Sequence, residues 1–204
     1  MNATAAMQDC ERAARDRGLA AGLARALAGA LAGTPVQAVA PGRYAAVCAD
    51  NVPEGAAVRT HRLADAEGIA FVHCPGERPP GGPGLAELGR LLAAVRLGLV
   101  RRTLDLAVEH LAGRDGGGEP LSRKQLVTGA IADIIAGVEL LRAYAQSQHD
   151  QAGLHDVHTR IDELGWEVAK LFGAAGYLAD HPARALYVSA LAATTWIAPE
   201  GAEQ

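Results

Sequence analysis

Residues 114–142 read RDGGGEPLSRKQLVTGAIADIIAGVELLR, and their pattern decides the fold. A glycine loop at 116–118 is followed by Pro120, Ser122 and Gln125. Proline is tolerated in a first helical turn, and Ser-x-x-Gln is a capping-box pattern that satisfies orphan amides. This predicts a helix opening near Pro120. Beyond it, Val127, Ile131, Ile134, Val138 and Leu141 recur at spacings of four and three, one stripe of a long helix.

Working outward, the same period appears on both sides. Leu85, Leu88, Leu92, Val95, Leu99, Leu104, Val108 and Leu111 predict a helix ending near Gly113. Leu154, Val157, Ile161, Leu164, Val168 and Leu171 predict a third helix, and Leu186, Ala190 and Leu191 a shorter fourth. Four such helices in succession predict a mainly α chain, an up-and-down four-helix bundle over residues 84–204.

Residues 1–83 differ in texture. Leu19, Leu23, Leu27 and Leu31 lie one turn apart, so residues 8–31 are expected to form one or two helices that stop at Thr34 and Pro35. Short apolar runs at 44–48, 58–63 and 69–73, separated by Asn51, Pro53, Gly55 and Gly68, read as three small strands. Residues 75–84, PGERPPGGPG, read as a linker.

Composition agrees with packed helices. Of 204 residues, 50% are hydrophobic and only 4% aromatic, which suits helices better than a sandwich or barrel. A net charge of −4 gives no basic footprint for nucleic acid. The run 19–31, interrupted by Arg25, is too short to span a bilayer. Cys10, Cys48 and Cys74 are too scattered for a metal knuckle or a disulfide framework and read as reduced cytoplasmic thiols. His149, Asp150, His155, Asp156 and His158 crowd one connection, where capping and solvation explain them better than a metal does. The pairs Arg101–Arg102 and Arg123–Lys124 read as solvated faces. The chain is expected to be cytoplasmic, with neither a nucleic-acid nor a membrane partner and no metal.

The quoted stretch resembles the C-terminal domain of acyl-CoA dehydrogenases. Arg114, Gly118, Leu121, Gln125, Ala132, Asp133, Glu139 and Arg142 fall on that family's pattern without a gap, while Gly116 and Gly117 replace its polar residue and Phe. Farther on, Gly173, Gly176, Tyr177, Pro182 and Ala190 match a second motif, from which Lys170, Ala174 and Val188–Ser189 depart. The resemblance implies a bundle preceded by a shortened helical and β remnant. It places Arg114, Gly118 and Gly176 at FAD-type positions and Ile197 where the family carries its catalytic carboxylate. A hydrocarbon cannot abstract the α-proton of a thioester, so that base is expected to be lost. Glu200, followed by Gly201, recreates an acid–glycine pair three residues later, and Glu87 beside Arg90 approximates relatives whose base sits on the first bundle helix.

A conventional FAD-dependent dehydrogenase of reduced size is argued for by Arg114 and Gly176 and against by Gly116, Gly117, Lys170, Val188 and Ile197; two further functions follow from the resemblance, and the residues leave open whether the isolated chain is an enzyme. The first is a subunit of a flavoprotein assembly acting on acyl thioesters of CoA or a carrier protein. It would form a homo-oligomer, or a hetero-oligomer with a full-length acyl-CoA dehydrogenase-like chain, bind no cofactor alone, and meet FAD through its partner. The second is a flavin-independent biosynthetic enzyme catalysing proton transfer, elimination or cyclisation in a pocket with Glu87, Arg90, His110, Arg114 and His181 as candidate polar groups.

Overall fold

The computed structural model describes residues 2–76 and 83–197, the side chain of Pro83 excepted. Its axis is α5 (Pro83–Ala112), with two layers laid against it. On one side lie α1 (Ala3–Arg17) and α2 (Leu19–Leu31). On the other lie α6 (Gln125–Ser147), α7 (Gln151–Lys170) and α8 (Arg184–Trp196). Between α2 and α5 the chain forms α3 (Val36–Val39), β1 (Tyr44–Cys48), β2 (Val58–Arg59), α4 (Arg62–Ala66) and β3 (Ile69–His73). The strands make one antiparallel sheet in the order β1-β3-β2, with Ala46 opposite Phe71.

The middle of α5 is not amphipathic. Every residue from 91 to 100 is buried, because α1 and α2 cover the face that a bundle alone leaves to solvent. Small residues allow the close approach. A Cβ on Gly98 would lie 2.3 Å from the carbonyl oxygen of Glu11, and one on Gly22 would lie 2.7 Å from the Ala14 Cβ. Charges fasten the rim: Arg142 of α6 forks onto both carboxylate oxygens of Glu11 at 2.8 and 2.6 Å, and Arg102 donates to the carbonyls of Arg15 and Asp16 at the end of α1. All three cysteines are buried and unpaired, and burial pushes the Cys10 thiol up to about 11, which makes it unreactive.

Most of the expected helices form with their apolar stripes inward, and of the one or two helices expected over 8–31 two form, parted at Gly18, where φ is +89°. Two expectations need correction. The amide of Leu121 is taken by the carbonyl of Arg114 at 2.7 Å, so residues 121–123 make a single 3₁₀ turn and α6 begins only at Gln125, with no side-chain cap. The run 58–63 yields just two strand residues, because His61 caps α4 by accepting from the Ala64 amide at 3.3 Å.

The edge strand β1 is sealed by α8. Thr195 Oγ1 accepts from the Ala46 amide at 3.0 Å, and the Trp196 indole donates to the Ala46 carbonyl at 3.0 Å. Both outward groups of that residue are satisfied, as burial requires.

Candidate functional site

Arg96 is the one charged residue in the buried ten-residue run of α5, and it is 1% exposed. A guanidinium carries only donors, so its neighbours must all accept. Nη1 donates to the His158 carbonyl at 3.1 Å and meets His158 Nδ1 at 2.9 Å. Nδ1 therefore carries no proton, and Nε2–H donates to the Gly89 carbonyl at 3.1 Å. Burial, reinforced by the Arg96 charge, lowers the His158 pKa to about 3, so this imidazole is neutral. Nη2 donates to Asp162 Oδ1, and Nε faces Ser189 Oγ at 3.5 Å. His158 and Asp162 are four apart on α7 and so share one face, while Ser189 comes from α8.

This network floors a cavity of about 480 Å³ between α5, α7, α8 and the turn at Gly173–Tyr177. Val100, Ile161 and Ser189 are buried at its base, and Trp166, Tyr177 and Tyr187 stand half-exposed around it. The Trp166 and Tyr177 rings stack with centroids 5.9 Å apart. Arg184 forms part of the wall and pairs with Glu67, N to O 2.7 Å, tying α8 to the end of α4. Burial raises the Glu67 pKa, and Arg184 opposes the shift.

The residues singled out from sequence fall in two other places. Glu87 and Arg90 form an ion pair, and Arg90 Nη1 donates to the carbonyl of Gln148 at 3.0 Å, fastening α5 to the end of α6. His110, Arg114 and His181 gather instead around Phe172: Arg114 Nη1 lies 3.2 Å from His110 Nε2, and the rings of His110 and His181 meet that of Phe172 at 5.5 and 4.4 Å. Burial lowers the His181 pKa, with His110 adding to the effect. Arg90 and His110 are twenty residues apart on α5, about 30 Å at helical rise, so the five candidates do not share one pocket.

Gly118 is exposed, with φ at +85°, in the α5–α6 loop. Gly176 is required by packing, since a Cβ there would lie 2.5 Å from the Ala169 carbonyl oxygen. Ile197 is buried at the end of α8 against Gly89. Glu200 lies outside the described residues. Of the crowded polar connection, Asp150 caps α7 by accepting from Gly153 at 2.7 Å, and His155 stays exposed. His158 does neither of the things expected of it, because it faces inward to Arg96. Among the described residues, no group of three or more His, Cys, Asp or Glu could hold a metal ion. No helix among them is long and apolar enough to cross a membrane.

Sequence reasoning missed Arg96, Asp162 and Ser189. The available signals were one arginine inside LLAAVRLGLV and the i, i+4 spacing of His158 and Asp162.

The profile of the acyl-CoA dehydrogenase C-terminal domain matches residues 85–202, more than half of the chain and nearly all of the bundle. The chain belongs to the acyl-CoA dehydrogenase family. Three solved structures agree with it in fold. Glutaryl-coenzyme A dehydrogenase in complex with glutaryl-CoA superposes with TM-score 0.51 at 18% identity, over 70% of this chain and 42% of that one. Butyryl-CoA dehydrogenase from Megasphaera elsdenii gives 0.51 at 16%, over 76% and 45%. The electron transferring flavoprotein of Acidaminococcus fermentans gives 0.51 at 17%, over 71% and 47%. At such identities the likeness speaks for the fold, and the chain spans less than half the length of each. No curated protein matches the chain.

Proposed function

We propose that the chain is a subunit of an acyl-CoA dehydrogenase-type flavoprotein assembly acting on acyl thioesters, contributing bundle surface rather than the catalytic base. The observation that carries this reading is the outer face of α6. Leu126 and Leu140 are 88% and 69% exposed and lie within about 40° of each other around α6, away from the stripe that α6 packs on α5 and α7. Large apolar side chains left to solvent on one side of a helix suit an interface. The buried Ile197 supports the absence of a base at the position where the family carries one.

Arg114 fits contact with a partner-held flavin. It is exposed, and His110 is the one side chain it hydrogen-bonds among the described residues, so donors remain for an anionic group in the loop that carries Gly118. A flavin bound there would supply the hydride acceptor, and this chain would supply a cation and a docking loop. The test is to purify the tagged chain from its native cells, measure assembly mass by light scattering, and record absorbance from near-ultraviolet to blue. Expected is a flavin-containing hetero- or homo-oligomer, which Leu140→Glu dissociates without unfolding the chain. A monomer that binds stoichiometric FAD by itself and reduces it with an acyl thioester would sink the proposal.

The second reading, a flavin-independent enzyme of proton transfer, elimination or cyclisation, draws support from the Arg96–Asp162 cavity. Loss of turnover on Asp162→Asn, with the fold intact, would favour it.

A further inference from the structure

We propose that the cavity between α5, α7 and α8 binds an uncharged planar molecule presenting a hydrogen-bond acceptor and donor side by side, the edge of a lactam, cyclic imide or primary amide. This is independent of the assembly reading and is tested on the isolated chain. About 480 Å³ is within the usual range for small-molecule sites.

Charge comes first. Arg96 is paired with Asp162, and Arg184 with Glu67, so neither cation of the cavity is left without a counter-charge. A ligand carrying net charge would have to break one of these pairs or remain uncompensated in an apolar site, and both are costly. The neutral state of His158 adds no further charge to the floor.

Hydrogen-bonding capacity comes next. Both donors of Arg96 Nη1 are spent on His158, which holds the guanidinium in place. Nη2 has two protons and gives one to Asp162 Oδ1, while Asp162 Oδ2 accepts no hydrogen bond among the described residues. One donor and one acceptor therefore remain on the two members of this ion pair, while on the wall the buried Arg184 Nε, paired in charge with Glu67, has no hydrogen-bond partner among the described residues. The complement of the ion pair is an edge with an acceptor for Nη2 and a donor for Oδ2. A carboxylate cannot donate to Oδ2, and a hydrocarbon leaves both positions unsatisfied.

The mouth selects shape. Trp166, Tyr177 and Tyr187 line the cavity and are each at least half-exposed, and aromatic rings there suit a flat ligand.

The test is calorimetric titration of the isolated chain with carbostyril, a neutral bicyclic lactam, against two molecules of the same ring size. Quinoline keeps an acceptor but has no N–H donor, and quinaldate carries a carboxylate. Carbostyril is expected to bind at one site, about tenfold or more tighter than either control, as loss of hydrogen bonds to a charged pair implies. Asp162→Asn should erase that preference. Should that variant fail to fold, Tyr187→Ala, a substitution at the half-exposed rim, should weaken carbostyril several-fold while circular dichroism stays unchanged. Equal or tighter binding of quinaldate or quinoline, no saturable carbostyril binding at millimolar concentration, or Tyr187→Ala binding like the wild type would overturn the proposal.

Discussion

The buried run of α5 meets two very different neighbourhoods. Toward α1 and α2 it offers Gly98 and Val95 to Glu11, Ala14 and Gly22, and the backbones approach until no methyl group can be added. Toward α7 and α8 the same ten residues offer Arg96 to His158, Asp162 and Ser189, and a cavity opens. One face is dry and filled; the other contains a charge that is almost wholly buried yet borders a cavity. Tight apolar packing stabilises without selecting a ligand, whereas a buried ion pair contributes little net stability and is better understood as a positioned pair of polar groups.

The contrast can be broken most severely at Gly98. Gly98→Ala puts a methyl group within 2.3 Å of a backbone oxygen, and α1 must move away. A loss of roughly 3 kcal/mol is expected from denaturant unfolding. A loss below about 1 kcal/mol would show that the α1 side is looser than described.

On the polar face, acidification is the next largest effect. The unfolded chain takes up a proton on His158 near its ordinary pKa of 6.5, and the folded chain refuses it until about 3. Stability from this group is therefore complete above pH 6.5 and falls as pH drops toward 3, by at most about 1.4 kcal/mol per pH unit. His158→Gln should flatten the slope by most of that amount, and parallel curves for the two proteins would contradict a buried neutral imidazole.

Asp162→Ala and Arg96→Met should differ in size. The first leaves a cation alone in the interior, and the second leaves a carboxylate that is 44% exposed and can hydrate. Expected losses are roughly 2 kcal/mol and about 1 kcal/mol, read from chemical denaturation. The reverse order would mean that the lone Arg96 cation is better hydrated through the cavity than the lone Asp162 carboxylate is from its exposed side.

The smallest effect sharpens the comparison. Gly165 lies mid-helix on the cavity side, and a Cβ there would find its nearest neighbour, Leu186, at 3.8 Å. Gly165→Ala should be neutral or stabilise by about 0.5 kcal/mol through helix propensity, opposite in sign to Gly98→Ala.

The fold was readable because period and punctuation are local. The stripes of α6 and α7 and the stop at Gly113 follow from residue spacing alone. The start of α6 was not readable, since the Leu121 amide is claimed by a carbonyl seven residues back, across a loop whose closure no local pattern encodes. The length of β2 failed for a similar reason: His61 serves as a cap rather than as a strand residue. The site was harder still. Arg96 reads as a charge breaking an apolar stripe until His158, 62 positions away, is known to face it. A family frame led to Glu87 and Arg90 at one end of α5, and the flavin-free pocket added His110 and His181, which gather around Phe172 near its other end.

The clasp of Thr195 and Trp196 on Ala46 has a kinetic consequence. Amides along the rim of a small sheet ordinarily exchange with solvent deuterium by local fraying. The Ala46 proton is held by a side chain 149 residues away, on a helix anchored in the bundle, so it is released when that helix lifts off. Its exchange rate is therefore expected to follow the opening of the whole molecule and to report on the last part of the chain from a position near the first.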